Sequence, residues 1–123
     1  MVSGACRSSG FLTSDTLVFS GRCKLTSIHA ANIGANAAAG APSPLPITLN
    51  LYDNIAASGK IVAKIQLSGS AATNAPIGAS LEFDMHNVIC EIGLYADIVI
   101  PTAVAGGHAG QNSAISGFTI EYS

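Results

Sequence analysis

Residues 47–69, ITLNLYDNIAASGKIVAKIQLSG, alternate apolar and polar side chains on both sides of a turn-rich centre. Ile47, Leu49 and Leu51 alternate with Thr48, Asn50 and Tyr52. Beyond the turn, Ile61, Ala63, Ile65 and Leu67 alternate with Lys60, Val62, Lys64 and Gln66. Successive side chains of a strand point to opposite faces, so this period of two predicts a hairpin whose strands each bury one face. Between the strands, Asp53 and Asn54 can bond their own backbone and Gly59 can adopt a positive φ. The connection is too long for a two-residue turn and predicts a wider turn or a bulge. Lys60 and Lys64 are expected on the solvent face.

The rest of the chain repeats the strand signal. TLVFS (16–20) reads as a short strand stopped at Gly21, and RCKLTSIHAA (22–31) as the next. LEFDMH (81–86) alternates, with Leu81, Phe83 and Met85 on one side; VICEIGLYADIVI (88–100) follows, and Gly93 divides it into two strands or a bulge. SGFTIEYS closes the chain with Phe118, Ile120 and Tyr122 facing one way. The segments 32–46 and 102–114 are Gly- and Pro-rich loops, unusually long for so small a domain. Seven or eight short strands with such connections predict an all-β, single-domain antiparallel β-sandwich, jelly-roll-like. The expected core includes Leu49, Leu51, Ile61, Ile65, Phe83, Leu94 and Ile120. Residues 1–15 show no periodicity and read as an N-terminal arm preceding a sandwich domain at 16–123.

Composition narrows the function. Apolar residues make up 49% of the 123, enough for a real core. Charged residues are only 10%, well below the usual quarter, as suits a surface that largely faces other protein chains. The net charge of −2 and the scattered Lys and Arg argue against nucleic acid as a partner. Glu91 and Asp97 interrupt the longest apolar run, which excludes a membrane-spanning helix there. The first residues, MVSGACRSSGF, lack the apolar core of a signal peptide, so synthesis in a cytoplasm is expected. Cys6, Cys23 and Cys90 have neither disulfide-framework nor zinc spacing; Cys23 and Cys90 read as buried small apolar residues and Cys6 as exposed.

Signals of catalysis are missing: there is no nucleophile elbow, phosphate loop or dinucleotide fingerprint. Asp84 and His86, two apart on a strand, share a face, but two ligands do not make a metal site. His29 reads as a hydrogen-bonded strand residue and His108 as a loop residue. The expectation is a non-enzymatic protein with no catalytic residues, metal or cofactor. Its candidate interface residues are Arg7 and Phe11 in the arm, Ala37, Ala38, Ala39, Pro42 and Pro44 in the first long loop, and His108 in the second.

Four segments carry a family resemblance: Gly21, Arg22 and Leu25; Leu51, Tyr52 and Asp53 with Ser58 and Gly59; Met85 with Glu91, Gly93, Leu94, Tyr95, Ala96 and Asp97; and Tyr122. In this order the chain resembles small virion structural proteins of tailed bacteriophages over about residues 19–122. The loops at 32–46 and 102–114 depart from the compact pattern. The resemblance implies a protein made in the host cytoplasm that decorates or cements the capsid surface. Its implied partners are the major capsid protein and further copies of itself, with a trimer expected because capsid lattices offer many threefold positions. The alternative is a tail or fibre module binding a host receptor or glycan. Against it stand the absence of Trp and an aromatic content of 6%, since sugar sites usually present exposed aromatic rings.

Overall fold

The computed structural model describes residues 6–33, 46–67, 78–100 and 116–123. Among these, eight strands run β1 (Arg7–Leu12), β2 (Thr16–Ser20), β3 (Cys23–Ile33), β4 (Ile47–Asp53), β5 (Lys60–Leu67), β6 (Gly78–Cys90), β7 (Gly93–Val99) and β8 (Gly117–Tyr122). They form two four-stranded antiparallel sheets, β1-β8-β3-β6 (sheet A) and β2-β7-β4-β5 (sheet B), packed as a β-sandwich. Strand partners nest: β1 pairs with β8, β2 with β7, β3 with β6 and β4 with β5. The chain is thus one long hairpin, with β4–β5 at its tip, wrapped so that alternate arms lie in opposite sheets.

Alternation builds the core. Ile47, Leu49 and Leu51 of β4, Leu94, Ala96 and Ile98 of β7, and Phe118, Ile120 and Tyr122 of β8 all point inward, together with Leu25 and Ile28 of β3. A polar tie crosses the sandwich: the buried Asn32 of β3 donates through Nδ2 to the Leu67 carbonyl at 2.9 Å, and its Oδ1 accepts from Ser116 Oγ at 3.2 Å. Cys23 and Cys90 are buried register partners on β3 and β6, while Cys6 is exposed. Burial pushes the Cys23 thiol up, and burial, then the neighbouring Cys23 and Asp53, pushes Cys90 up to about 12. Such thiols stay protonated and unreactive near neutral pH.

Three expectations need correction. Arg7–Leu12, placed in an arm, is an edge strand of sheet A, so the sandwich begins at Arg7 rather than at residue 16. Ile61 faces solvent at 44% exposure. The cause is a bulge: Leu51 pairs with Ala63 but Tyr52 with Ile61, leaving Val62 as the extra residue and reversing the inward–outward order beyond it. Val62 takes the core contact instead. Phe83 is only partly buried, because β5 and β6 are edge strands of opposite sheets. A groove of about 370 Å³, lined by Ala63, Ile65, Phe83 and Met85, opens between them.

LEFDMH (81–86) and the start of the 88–100 run, as far as Cys90, belong to one strand, β6, kinked at His86 and Asn87, whose φ values of 52° and 58° lie in the left-handed region. Gly93 does divide the longer run: β6 ends at Cys90 and β7 starts at Gly93.

Candidate docking surfaces

The motif residues gather at one end of the sandwich, and their work there is structural. Asp53 ends β4 with its carboxylate turned inward, where it accepts hydrogen bonds from the backbone N–H groups of Glu91 (3.0 Å), Ile92 (2.8 Å) and Gly93 (3.2 Å). Burial pushes this carboxyl upward, but the three N–H donors, aided by Lys60, outweigh it and hold Asp53 below the ordinary carboxylate value. Gly93 must lack a side chain, since a Cβ would come within 2.7 Å of the Phe19 carbonyl. Asn54 closes the β4–β5 loop by donating to the Ser58 carbonyl at 2.8 Å, and Gly59 completes it at φ 86°. Arg22 pairs with Glu91 at 3.2 Å on the surface. The motifs therefore encode a clasp joining β4, the β6–β7 turn and the end of β2.

The outer face of sheet A is polar. Register aligns Phe11, Thr119, His29 and Glu82 in one row across all four strands, and Ser8, Glu121, Ser27 and Asp84 in the next. Ser27 Oγ donates to Glu121 Oε2 at 3.0 Å, and His29 Nε2 lies 3.2 Å from Glu121 Oε1 and 3.5 Å from Ser27 Oγ. These are the residue types of a hydrolase triad in a different arrangement. A triad histidine takes the nucleophile's proton with one nitrogen and is oriented through the other. Here one nitrogen faces both partners, and the carboxylate itself accepts the serine proton. A depression of about 470 Å³ lies over the first row, with Phe11, Thr119, His29 and Glu82 in its lining. The Phe11 ring rests against Gly117, where a side chain would collide with it, yet remains 50% exposed.

Sheet B carries a different outer face. Leu17 of β2, Tyr95 of β7, Tyr52 of β4 and Ile61 of β5 stand in register as one apolar row spanning the sheet. Leu17 is 45% exposed. The neighbouring row is polar: Asp97, Asn50 and Lys64. Asn50 Nδ2 donates to Asp97 Oδ2 at 3.2 Å, whereas Asn50 Oδ1 is shielded from solvent with no partner among the described residues. Asp15 stands at the β2 edge of this row, its Oδ1 accepting the Ile98 N–H at 2.7 Å. Val99 adds an exposed side chain one row further on.

Of the candidate interface residues, Arg7 and Phe11 lie on the β1 edge. The Arg7 guanidinium sits 5.9 Å from the centroid of the Phe19 ring, which in turn packs on Tyr122 at 5.5 Å. Ala37, Ala38, Ala39, Pro42, Pro44 and His108 lie outside the described residues. Asp84 and His86 are both exposed, and the carboxylate serves the local kink, accepting the His86 N–H at 2.9 Å. No group of three or more metal-ligating side chains occurs among the described residues. Sequence reasoning missed the apolar row on sheet B. Its members lie on four strands, and only their register, set by long-range pairing, makes them neighbours. No family model matches the chain, and neither a curated protein nor a solved structure matches it.

Proposed function

We propose that this chain is a non-enzymatic structural protein of a phage virion, one that decorates or cements the capsid surface through contacts with the major capsid protein and with its own copies. The observation that carries the reading is the nested pairing of β1 with β8, β2 with β7, β3 with β6 and β4 with β5. We read this connectivity as jelly-roll-like, an architecture used by viral capsid proteins, lectins and cupins. Fold alone does not assign function, so the three uses are weighed by the surface. Cupin chemistry calls for a ligand cluster inside the sandwich, whereas the described interior is packed with Leu, Ile and Phe. A lectin would present several aromatic rings over a polar pocket; here the tyrosines lie in an apolar row, and Phe11 is the aromatic residue at the polar depression.

Low charge supports a contact protein, as do large apolar side chains exposed on more than one side: Phe11 on sheet A, Leu17 and Ile61 on sheet B, Ile55 and Ile92 at the clasp. The depression beside Phe11 is the surface we assign to the capsid. The test is to mix purified protein with heads lacking it and image them by electron microscopy. Ordered attachment to heads that Phe11→Asp abolishes supports the reading. Ordered attachment to tails instead makes the chain a tail or fibre module that binds a host receptor or glycan.

A further inference from the structure

We infer that the outer face of sheet B is the contact surface for a second copy of the same chain, related by a two-fold axis in the plane of the face and nearly parallel to its strands. Charge arrangement and register carry this. Among the described residues of this outer face, the acids stand on one side, Asp15 beside β2 and Asp97 on β7, and Lys64 stands on the other, on β5, while Asp53 of β4 and its register partner Lys60 belong to the inward-facing parity. A surface polarised across its strands is complementary to itself under one simple operation. Rotation about an axis running between β7 and β4 lays β5 of one copy over β2 of the other and β4 over β7.

The consequences follow row by row. In the apolar row, Leu17 meets Ile61 of the second copy and Tyr95 meets Tyr52. In the polar row, Lys64 of each copy lies over Asp15 and near Asp97 of the other, and Asn50 faces Asp97, whose carboxylate can accept from the Asn50 amide N–H. Because the axis is parallel to the strands, each row meets its own copy and both rows are satisfied at once. Two sheets stacked in this way adopt the aligned packing common between twisted sheets, with strands about 30° apart.

The size of the face sets the strength. At ordinary strand spacing and rise, the paired part of the four strands is roughly 20 Å by 20 Å, about 400 Å² in flat projection. A standard interface buries roughly 800 Å² per partner, so even with side-chain relief this contact lies at the weak, reversible end. The tyrosines suit it: they supply large contact area with few rotors and keep a hydroxyl for the polar rim.

The inference does not depend on the capsid reading, because it concerns the chain alone in solution. Sedimentation velocity of the full chain, over protein concentrations from about 1 µM to about 500 µM, should show a reversible monomer–dimer equilibrium. Lys64→Glu should raise the dissociation constant about tenfold or more, and so should Asp97→Lys, since each places like charges across the axis. Mixed in equal amounts, these two variants should recover a heterodimer, because each then supplies the charge the other has lost. Tyr52→Ser should abolish the dimer while leaving the circular dichroism spectrum and cooperative melting in place. A wild-type chain that is monomeric at the highest concentration, or trimeric, overturns the inference. So does a Lys64→Glu chain that pairs as the wild type does, or a mixture of the two variants that stays monomeric.

Discussion

The two outer faces of this sandwich are made by the same alternation and carry opposite chemistry. On sheet A the central residues, Ser27, His29 and Glu121, bond to one another. Their polar groups are satisfied within the face, and a partner would gain little from them. On sheet B, Tyr52, Tyr95, Leu17 and Ile61 have no such internal use, and the charges beside them are separated across the sheet rather than paired. Alternation thus decides which residues are outside, while the residue types and register decide whether that outside is finished. Exposed apolar area gathered in one in-register row is what a second copy would cover on sheet B, whereas sheet A offers a partner the exposed Phe11 beside its depression.

Substitutions on one strand test how cleanly inside and outside are divided. Leu51 and Tyr52 are adjacent on β4 and point to opposite faces. Leu51→Ala is expected to cost about 2–5 kcal/mol of folding stability in denaturant melts, the usual range for a buried leucine. Tyr52→Ser should cost the monomer far less, and comparable losses for the two would break the division.

Both faces hang from one clasp, so removing it should affect them together. Asp53→Ala strips three N–H donors of their acceptor and should destabilise by about 2–3 kcal/mol. The pH dependence follows from the same contacts. Asp53 is held below its unfolded value, so its contribution is fully present above that value, near pH 4, and is lost as pH falls through the folded value. Acid melts of the wild type should therefore lose stability below about pH 4 more steeply than melts of Asp53→Asn.

Changes on sheet A should be smaller and should not touch self-association. Glu121→Gln removes the charge and replaces one of the two oxygens that face Ser27 and His29 with an amide NH2, on a partly exposed face, and is expected to cost about 1 kcal/mol or less, with the sedimentation profile unchanged. A shifted monomer–dimer equilibrium in this variant would move the contact to sheet A. Smallest of all, Ile61→Ser should change monomer stability by no more than about 0.5 kcal/mol, as expected for a solvent-facing position. A loss near that of Leu51→Ala would return Ile61 to the core.

The sequence exposed some of this and concealed the rest, for identifiable reasons. Strand β4 was fully legible, because Ile47, Leu49 and Leu51 alternate without interruption and are all buried. The same rule failed ten residues later, since a one-residue bulge leaves no mark in the pattern while reversing every side chain beyond it. Strand β1 was hidden because RSSGFL has no alternation of its own; β8 imposes the extended form, with the register shifting between Ser8 and Phe11. Asp53 was read as a loop residue bonding its own backbone; it ends β4 instead, and its three donors come from a turn far along the chain. The in-register rows were beyond reach for the same reason: parity is local and register is not.

The nested strand order also sets a timetable for self-assembly of the chain. Among the described strands, only β4 and β5, at the tip of the wrapped hairpin, are both consecutive in sequence and paired. This hairpin can form early, within about 1–10 µs once its loop closes. The remaining pairings wait for larger closures, among them β3 with β6, then β2 with β7, and finally β1 with β8. Chains dominated by such distant contacts fold in roughly milliseconds to seconds. Until β1 arrives, β8 is a bare edge carrying Phe118, Ile120 and Tyr122, a strand ready to pair with the wrong neighbour.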